Sequence, residues 1–376
     1  MANSPLPETY SGMSLAKIQA ALKTDGRDLG IAPEFRQLQP QFDINLFEQL
    51  PSTSTQLWSV LDSGAGGSGS VVIAQRQSAG RGQRGRVWDS APGGLYLSLA
   101  LEPDWPVTHS AQLTCLSAWG IATAFNNLGI PVKIKWPNDL FFQGKKLGGI
   151  LTETRLSHAE PDSLGPEKGE NPLPRIRQAV IGVGINWHNP VPETGITLAQ
   201  ILEAMPDAPA KNKINCLEML TALVLKGILQ GSFFQRRVGS QVFMKAYMNL
   251  LTQAGKVVSL DKSLMALAEP ASLAACSLAA CLDTPLGDGS TDRQLKNCSG
   301  EVIGVSEEGY LQVAVRGSPA ELAHERASRP SASGRSASGS HTPENALERA
   351  SKPLPEPLPA NTGSILLLKP SEIHIE

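Results

Sequence analysis

The stretch Gln77-Ser78-Ala79-Gly80-Arg81-Gly82-Gln83-Arg84-Gly85-Arg86-Val87-Trp88 lies between two strand-like runs, Val71 to Gln75 and Leu95 to Leu101. Its glycines let a backbone fold tightly and approach a ligand, its arginines can pair with phosphate or carboxylate, and it closes on an aromatic. A solvated basic turn has the same composition. Placement at the ends of two strands favours an anion-handling loop, because loops held by a rigid scaffold are where ligands bind.

Upstream, Ile44 to Leu50 reads as a strand, and Ser52-Thr53-Ser54-Thr55 after Pro51 offers N-cap hydroxyls for a helix running to about Asp62. Gly64-Ala65-Gly66-Gly67-Ser68-Gly69 satisfies G-x-G-x-x-G. That fingerprint binds a dinucleotide only where it follows a strand and opens a helix; here it leaves a helix and enters a strand, so it is a turn.

Downstream, His109 to Leu128 has helical periodicity with Gly129 as its stop, and Pro131 to Lys135 is a short strand. Lys135-Trp136-Pro137-Asn138-Asp139 and Gln143-Gly144-Lys145-Lys146 read as turns, followed by a strand over Leu147 to Thr154. A polar, Pro-rich link from Ser157 to Arg175 leads to a strand over Gln178 to Asn186. Helices over Ile214 to Gly231 and Phe233 to Leu251 close this domain.

Three regions follow from this pass: an N-terminal extension at 1–43, a main domain at 44–252 and a C-terminal domain at 253–376. The extension holds one helix, Met13 to Lys23, too little periodic sequence for a DNA-binding module. In the C-terminal domain Lys256 to Leu260, Glu301 to Val305, Tyr310 to Val315, Ser364 to Leu368 and Glu372 to Ile375 are strand-like and predict a small β-barrel. Two insertions interrupt it, an Ala/Ser/Cys/Leu-rich one at about 263–296 and a Ser/Ala/Pro/Arg-rich one at 317–363 of disordered composition. The predicted class is α+β, a sheet flanked by helices and followed by a small β-barrel.

A formal net charge of -2 over 376 residues argues against a general nucleic-acid or membrane-surface partner and makes the arginine loop a local feature. The five cysteines form no CxxC pair, which suits a reducing compartment without structural zinc. Met1 to Tyr10 has the character of neither a signal peptide nor a membrane start, so a cytoplasmic location is expected.

Lys135, Lys146, Arg81, Arg84 and Arg86 are expected on three turns, with Asn138 and Asp139 as oxygen ligands for magnesium. Such a set suits bringing a nucleoside triphosphate together with a second anion, for example a carboxylate attacking the α-phosphate. No Walker P-loop is present.

Gln77 to Trp88, Lys135-Trp136-Pro137-Asn138-Asp139, Lys146-Leu147-Gly148-Gly149-Ile150-Leu151 and Ile181-Gly182-Val183-Gly184-Ile185-Asn186 resemble, in that order, the signature blocks of the biotin protein ligase family. Ser52-Thr53-Ser54 stands where that family has a Ser-Thr-Asn-like element, and a looser resemblance continues through the C-terminal barrel. The resemblance implies a mixed β-sheet and an SH3-like β-barrel, and that biotin and MgATP give biotinyl-5′-AMP and pyrophosphate. A lysine of the biotin carboxyl carrier protein of acetyl-CoA carboxylase would then take the biotinyl group and release AMP.

It further implies roles by position. Ser52, Thr53, Ser54, Gln77, Gly80, Arg81, Gly82 and Lys146 would bind biotin, with Lys146 and Arg81 catalytic. Gln83, Arg84, Arg86, Trp88, Lys135, Asn138 and Asp139 would bind ATP, with Trp88 on the adenine and Asn138 and Asp139 near Mg2+. Gln83 replaces a basic residue common in the family, which implies a loop holding the adenylate with one charge fewer. The family forms monomers and dimers, so a homodimer is among the expected states. A lipoate ligase shares the adenylation logic, and a non-enzymatic biotin-sensing regulator would need a DNA-binding domain that residues 1–43 are too irregular to supply.

Overall fold

The computed structural model describes residues 12–157, 174–260, 298–315 and 365–368. The expected strand Glu372 to Ile375, the Ala/Ser/Cys/Leu-rich patch, most of the link after Ser157 and the 317–363 insertion lie outside the described residues. The chain divides into two compact units, Met1–Thr252 and Gln253–Glu376.

The first unit runs α1 (Leu15–Leu22), β1 (Asp43–Leu50), α2 (Thr53–Asp62), β2 (Ser70–Gln77), β3 (Leu95–Leu101), β4 (Trp105–Pro106), α3 (Ser110–Asn127), β5 (Lys133–Lys135), β6 (Asp139–Phe142), β7 (Lys145–Ser157), β8 (Arg175–Ile185), α4 (Leu198–Ala204), α5 (Ala210–Lys213) and α6 (Leu217–Met248). Its sheet has the order β1-β2-β3-β8-β7-β6-β5, with β4 paired to β8. Only the β1–β2 pair is parallel, so the sheet is mixed.

Strand alternation divides the sheet into two faces. On one, Val72, Ala74, Ala100 and Val180 pack with Leu57 and Leu61 of α2. On the other, α3 and α6 cover the sheet, and Thr114 of α3 donates to Thr152 of β7 at 2.8 Å. The α2 helix is short and covers only part of its face.

The α3–α6 contact explains why α3 is so rich in small residues. A Cβ at Gly120 would fall on the Gly227 carbonyl oxygen, and one at Gly231 on the Leu116 carbonyl oxygen, so the two backbones approach closely. Trp119 stacks on Phe234 at 4.5 Å between ring centroids beside this contact. Gln230, wholly buried, donates to Gly120 O at 2.7 Å and accepts from Ala32 N at 3.0 Å.

Residues 14–32 are joined to α6 by two more buried side chains: Glu218 accepts from Ser14 N at 3.2 Å, and Lys226 donates to Thr24 O at 3.1 Å.

Three local expectations are corrected. Two helices were expected between Ile214 and Leu251, with a break near residue 232; one run, Leu217–Met248, continues to a kink at Gly239 (φ 79). Gly231 is there for close packing and is no helix stop. The Gln143-to-Lys146 turn is shorter than expected. Gln143 (φ 46) and Gly144 (φ 81) complete a two-residue hairpin, so β7 begins at Lys145, and Lys135 and Lys146 lie in strands and not on turns. Finally, Ser52 occupies the N-cap position of α2 without a side-chain capping bond. The Thr53 N–H is taken by Gln77 Oε1 of β2 at 2.8 Å, a tertiary acceptor in place of a local one.

The second unit holds β9 (Val257–Leu260), β10 (Cys298–Val305), β11 (Leu311–Val315) and β12 (Ile365–Leu368) in an antiparallel sheet of order β12-β11-β10-β9. A bulge falls between Val302 and Gly304.

Candidate active site

The site forms where α2 leaves its face of the sheet uncovered. Pairing across β3, β8 and β7 sets three successive rows on this face: Tyr96, Gly184 and Gly149; Ser98, Gly182 and Leu151; Ala100, Val180 and Glu153. Adjacent rows are two residues apart along the strands, roughly 7 Å.

The middle row carries hydroxyls. Ser98 Oγ lies 2.9 Å from Thr53 Oγ1 and 3.1 Å from Ser54 Oγ, all three residues being buried. Thr53 Oγ1 also donates to Gln77 Oε1 at 3.3 Å, Gln77 Nε2 to Ser90 Oγ at 2.8 Å, and Ser90 Oγ to the Trp88 carbonyl at 3.0 Å. A buried polar chain of this length is expected to be hydrogen-bonded throughout, and it fixes the direction in which each group faces. A Cβ at Gly182 would stand 2.9 Å from Ser54 Oγ, so glycine keeps the strand open beneath the hydroxyls.

The first row is a floor of glycine. Gly149 and Gly184 are directly paired, and the Trp88 indole lies on them: a Cβ at Gly184 would be 2.5 Å from Trp88 Nε1, and one at Gly149 would be 3.5 Å from Trp88 Cζ3. Trp88 Nε1 is buried there with no hydrogen-bond partner. Lys146 Nζ sits 5.2 Å from the indole centroid and 2.8 Å from Asp139 Oδ1.

A bulge brings the lysine to this face. Leu140 pairs with Gly148 but Phe141 pairs with Lys146, so Leu147 is an extra residue that turns inward to full burial. Strict alternation from Gly149 would have put Lys146 on the α3 side; the bulge re-aims it. Asn186 holds the arrangement, donating to the Lys146 carbonyl and the Ile196 carbonyl at 3.3 Å each.

The loop itself is a narrow hairpin. Gly82 N donates to Arg86 O at 2.8 Å, Trp88 N to Gly80 O at 3.0 Å, and Arg81 and Val87 form a bridge. Gly80 is required because a Cβ there would reach the Trp88 carbonyl and lie 2.5 Å from Ser90 Oγ. Gln83 and Gly85 bound the tip, with Arg84 in the left-handed region (φ 58). Arg84 ionises below the usual guanidinium range, first through partial desolvation and then through the charge of Arg86.

Among the expected site residues, the structure brings Thr53, Ser54 and Gln77 together, and separately Lys146, Asp139 and Trp88. Lys135 is the register neighbour of Asp139, with its ammonium 5.9 Å from the Phe141 centroid. Asn138 Nδ2 donates to Ile150 O at 2.8 Å. Ser52 is buried at the start of α2, while Arg84 and Arg86 are exposed at the loop tip. Ser98, Ser90 and Glu153 were not singled out from the sequence. A lone serine in Leu95–Leu101 and an acid within β7 were the available signals.

Residues 46–161 match the Biotin/lipoate A/B protein ligase family. Over that segment the chain is similar to members of that family. It is 42% identical over 120 residues to the Bifunctional ligase/repressor BirA of Bacillus subtilis, covering 31% of this chain and 32% of that protein. It is 30% identical over 192 residues to the Biotin--[acetyl-CoA-carboxylase] ligase of Mycobacterium tuberculosis, covering 50% of this chain and 62% of that protein. The chain therefore spans about a third of the first relative and under two thirds of the second. A solved structure, Biotin protein ligase from Aquifex aeolicus in complex with biotin and ATP, superposes with a TM-score of 0.45 at 21% identity, covering 72% of this chain and 91% of that one.

Proposed function

We propose that this chain is a biotin protein ligase that uses MgATP to convert biotin into biotinyl-5′-AMP and pyrophosphate, then passes the biotinyl group to a lysine of a biotin carboxyl carrier protein. The observation that carries the reading is the spacing of two sets of groups on one open sheet face. Hydroxyls and an amide (Thr53, Ser54, Ser98, Gln77) surround one row, and the Lys146 ammonium stands at the next, roughly 7 Å along the strands. A ligand with a polar ring at one end and a carboxylate at the other fits that separation.

In the first step a biotin carboxylate oxygen attacks the α-phosphorus and the bond to pyrophosphate breaks. Two anions must meet, and Lys146 would lessen their repulsion and stabilise charge on the transferring group. Arg81, with the Gly80 and Gly82 amides, would cover the biotin side; Gln83, Arg84, Arg86 and Lys135 would face phosphate, and Trp88 the adenine. In the second step the carrier amine attacks the acyl carbon, AMP leaves with its electron pair, and the amine gives up a proton. Asp139 and Asn138 suit a magnesium ion, which keeps few protein ligands and takes most of the rest from phosphate and water. Bound there, the ion would offset triphosphate charge.

The same reading takes the β9–β12 sheet as part of an SH3-like barrel, places domain limits near residues 43 and 252, and gives the enzyme a cytoplasmic location with acetyl-CoA carboxylase as the recipient complex. A homodimer remains within it.

Biotin-dependent ATP:pyrophosphate exchange tests the proposal. Exchange should require biotin, ignore lipoate and fall by about a hundredfold or more in Lys146→Ala. A folded, biotin-binding protein without exchange would refute the ligase reading and favour a biotin sensor; exchange driven by lipoate would make it a lipoate ligase.

A further inference from the structure

Glu153 is a carboxylate on the third row of the site face, where its register neighbours Val180 and Ala100 are buried and apolar. It holds Arg81 in a two-pronged pair, with Nη2 to Oε1 at 2.6 Å and Nη1 to Oε2 at 3.2 Å. Paired guanidinium and carboxylate forks of this kind fix orientation as well as distance. The Glu153 side chain is 22% exposed, which leaves its partner choice restricted by the sheet beneath it.

The pair attaches the glycine-rich loop to β7. A second attachment is Trp88 on Gly149. Residues 149 and 153 are four apart on one strand, so the attachments stand roughly 13 Å apart. Leu151 and Gly182 lie between them, under the hydroxyls of Ser54 and Ser98. The base of the hairpin is thus held on either side of the row that would receive the polar ring, while its tip stays exposed.

We propose that Glu153 is a positioning residue that seats the loop through Arg81 and so sets how tightly the biotin end of the site closes. The proposal rests on the ligase reading for its ligand, but the seating of the loop is a property of the protein alone. It places the main effect of Glu153 on loop protection and biotin affinity, with a smaller effect on nucleotide affinity through Arg84 and Arg86 of the same loop, because Lys146 and Asp139 lie off the loop.

The test compares the full chain with Glu153→Gln, Glu153→Asp, Arg81→Gln and the Glu153→Gln/Arg81→Gln double variant. Without any ligand, trypsin cleavage after Arg81, Arg84 and Arg86, followed by mass spectrometry, should rise severalfold in Glu153→Gln. The double variant should cleave no faster than Arg81→Gln, and Glu153→Asp should recover part of the protection. Cleavage elsewhere and the thermal midpoint should stay as in the unsubstituted chain, which a general loss of stability would not allow. In pyrophosphate exchange, the KM for biotin should rise on the order of tenfold, and the KM for ATP should rise by less. Unchanged cleavage together with an unchanged KM for biotin in Glu153→Gln would overturn the proposal. Absence of exchange in the unsubstituted chain would overturn the ligase reading, and the ligand-free cleavage result would still decide the role of Glu153.

Discussion

Gly184 and Trp88 are in such close contact that a single added methyl would stand 2.5 Å from the indole nitrogen. The glycine is therefore the seat of the tryptophan, and the buried, unpaired Trp88 Nε1 marks a place where the loop rests on backbone and not on a polar partner.

Gly184→Ala should lift Trp88 off the sheet. The expected result is a red-shifted tryptophan emission whose difference from the unsubstituted chain disappears in a Trp88→Phe background. ATP binding should weaken about tenfold, with a stability loss of about 1 kcal/mol from overpacking. An unshifted spectrum would show that the indole does not depend on this seat.

Asp139→Asn tests the ion pair at the other end of the row. With both partners partly exposed, the Lys146–Asp139 pair should contribute at most about 1 kcal/mol to folding. Its effect on exchange should be larger, about tenfold or more, because the carboxylate fixes where the ammonium stands. Equal and small effects on stability and rate would make Asp139 a surface partner only.

Gly120→Ala separates helix propensity from packing. In an exposed helix this change would stabilise by up to about 1 kcal/mol. Here the new methyl would fall on the Gly227 carbonyl of α6, and neither backbone can yield, so a loss of about 1–3 kcal/mol in urea unfolding is expected. A gain would mean that α3 and α6 can move apart freely.

Cys115 gives the fold an alkaline limit. Burial, outweighing its hydrogen bond with Tyr247, pushes the thiol from 9.0 up to about 12. Below the ordinary value the thiol is protonated in both states, so stability is full there. As pH climbs from that value toward about 12, only the unfolded chain loses the proton, and stability falls by up to ~1.4 kcal/mol per pH unit. Tyr247, also raised by burial, acts in the same direction at higher pH. The difference between urea midpoints at about pH 8 and about pH 10 should shrink in Cys115→Ala. The native thiol should also resist alkylation near neutral pH until the chain unfolds.

The sequence by itself determined α1 to α3, β1 to β3, β5, β7 and β8 in their order, though not β4, β6, α4 or α5, together with the glycine-rich loop between β2 and β3 and the rejection of Gly64 to Gly69 as a nucleotide fingerprint. These features are local: alternation, helical period, proline and glycine act over a few residues and need no distant partner.

Only the tertiary structure decided which face of the sheet Lys146 would serve, because an inserted Leu147 breaks the alternation by which a strand is read. It also selected Gln77 over a local hydroxyl to receive the Thr53 N–H, and Glu153 over solvent to hold Arg81. Each is a choice among chemically equivalent partners, settled by strand register across more than twenty residues of chain. The helix stop was moved in the same way. Gly231 remains helical because α3 needs a bare backbone there, whereas Gly239, with open space where a Cβ would stand, turns to positive φ. Glycine in a sequence signals permission to bend or to approach closely, and the neighbour that the fold supplies determines which permission is used.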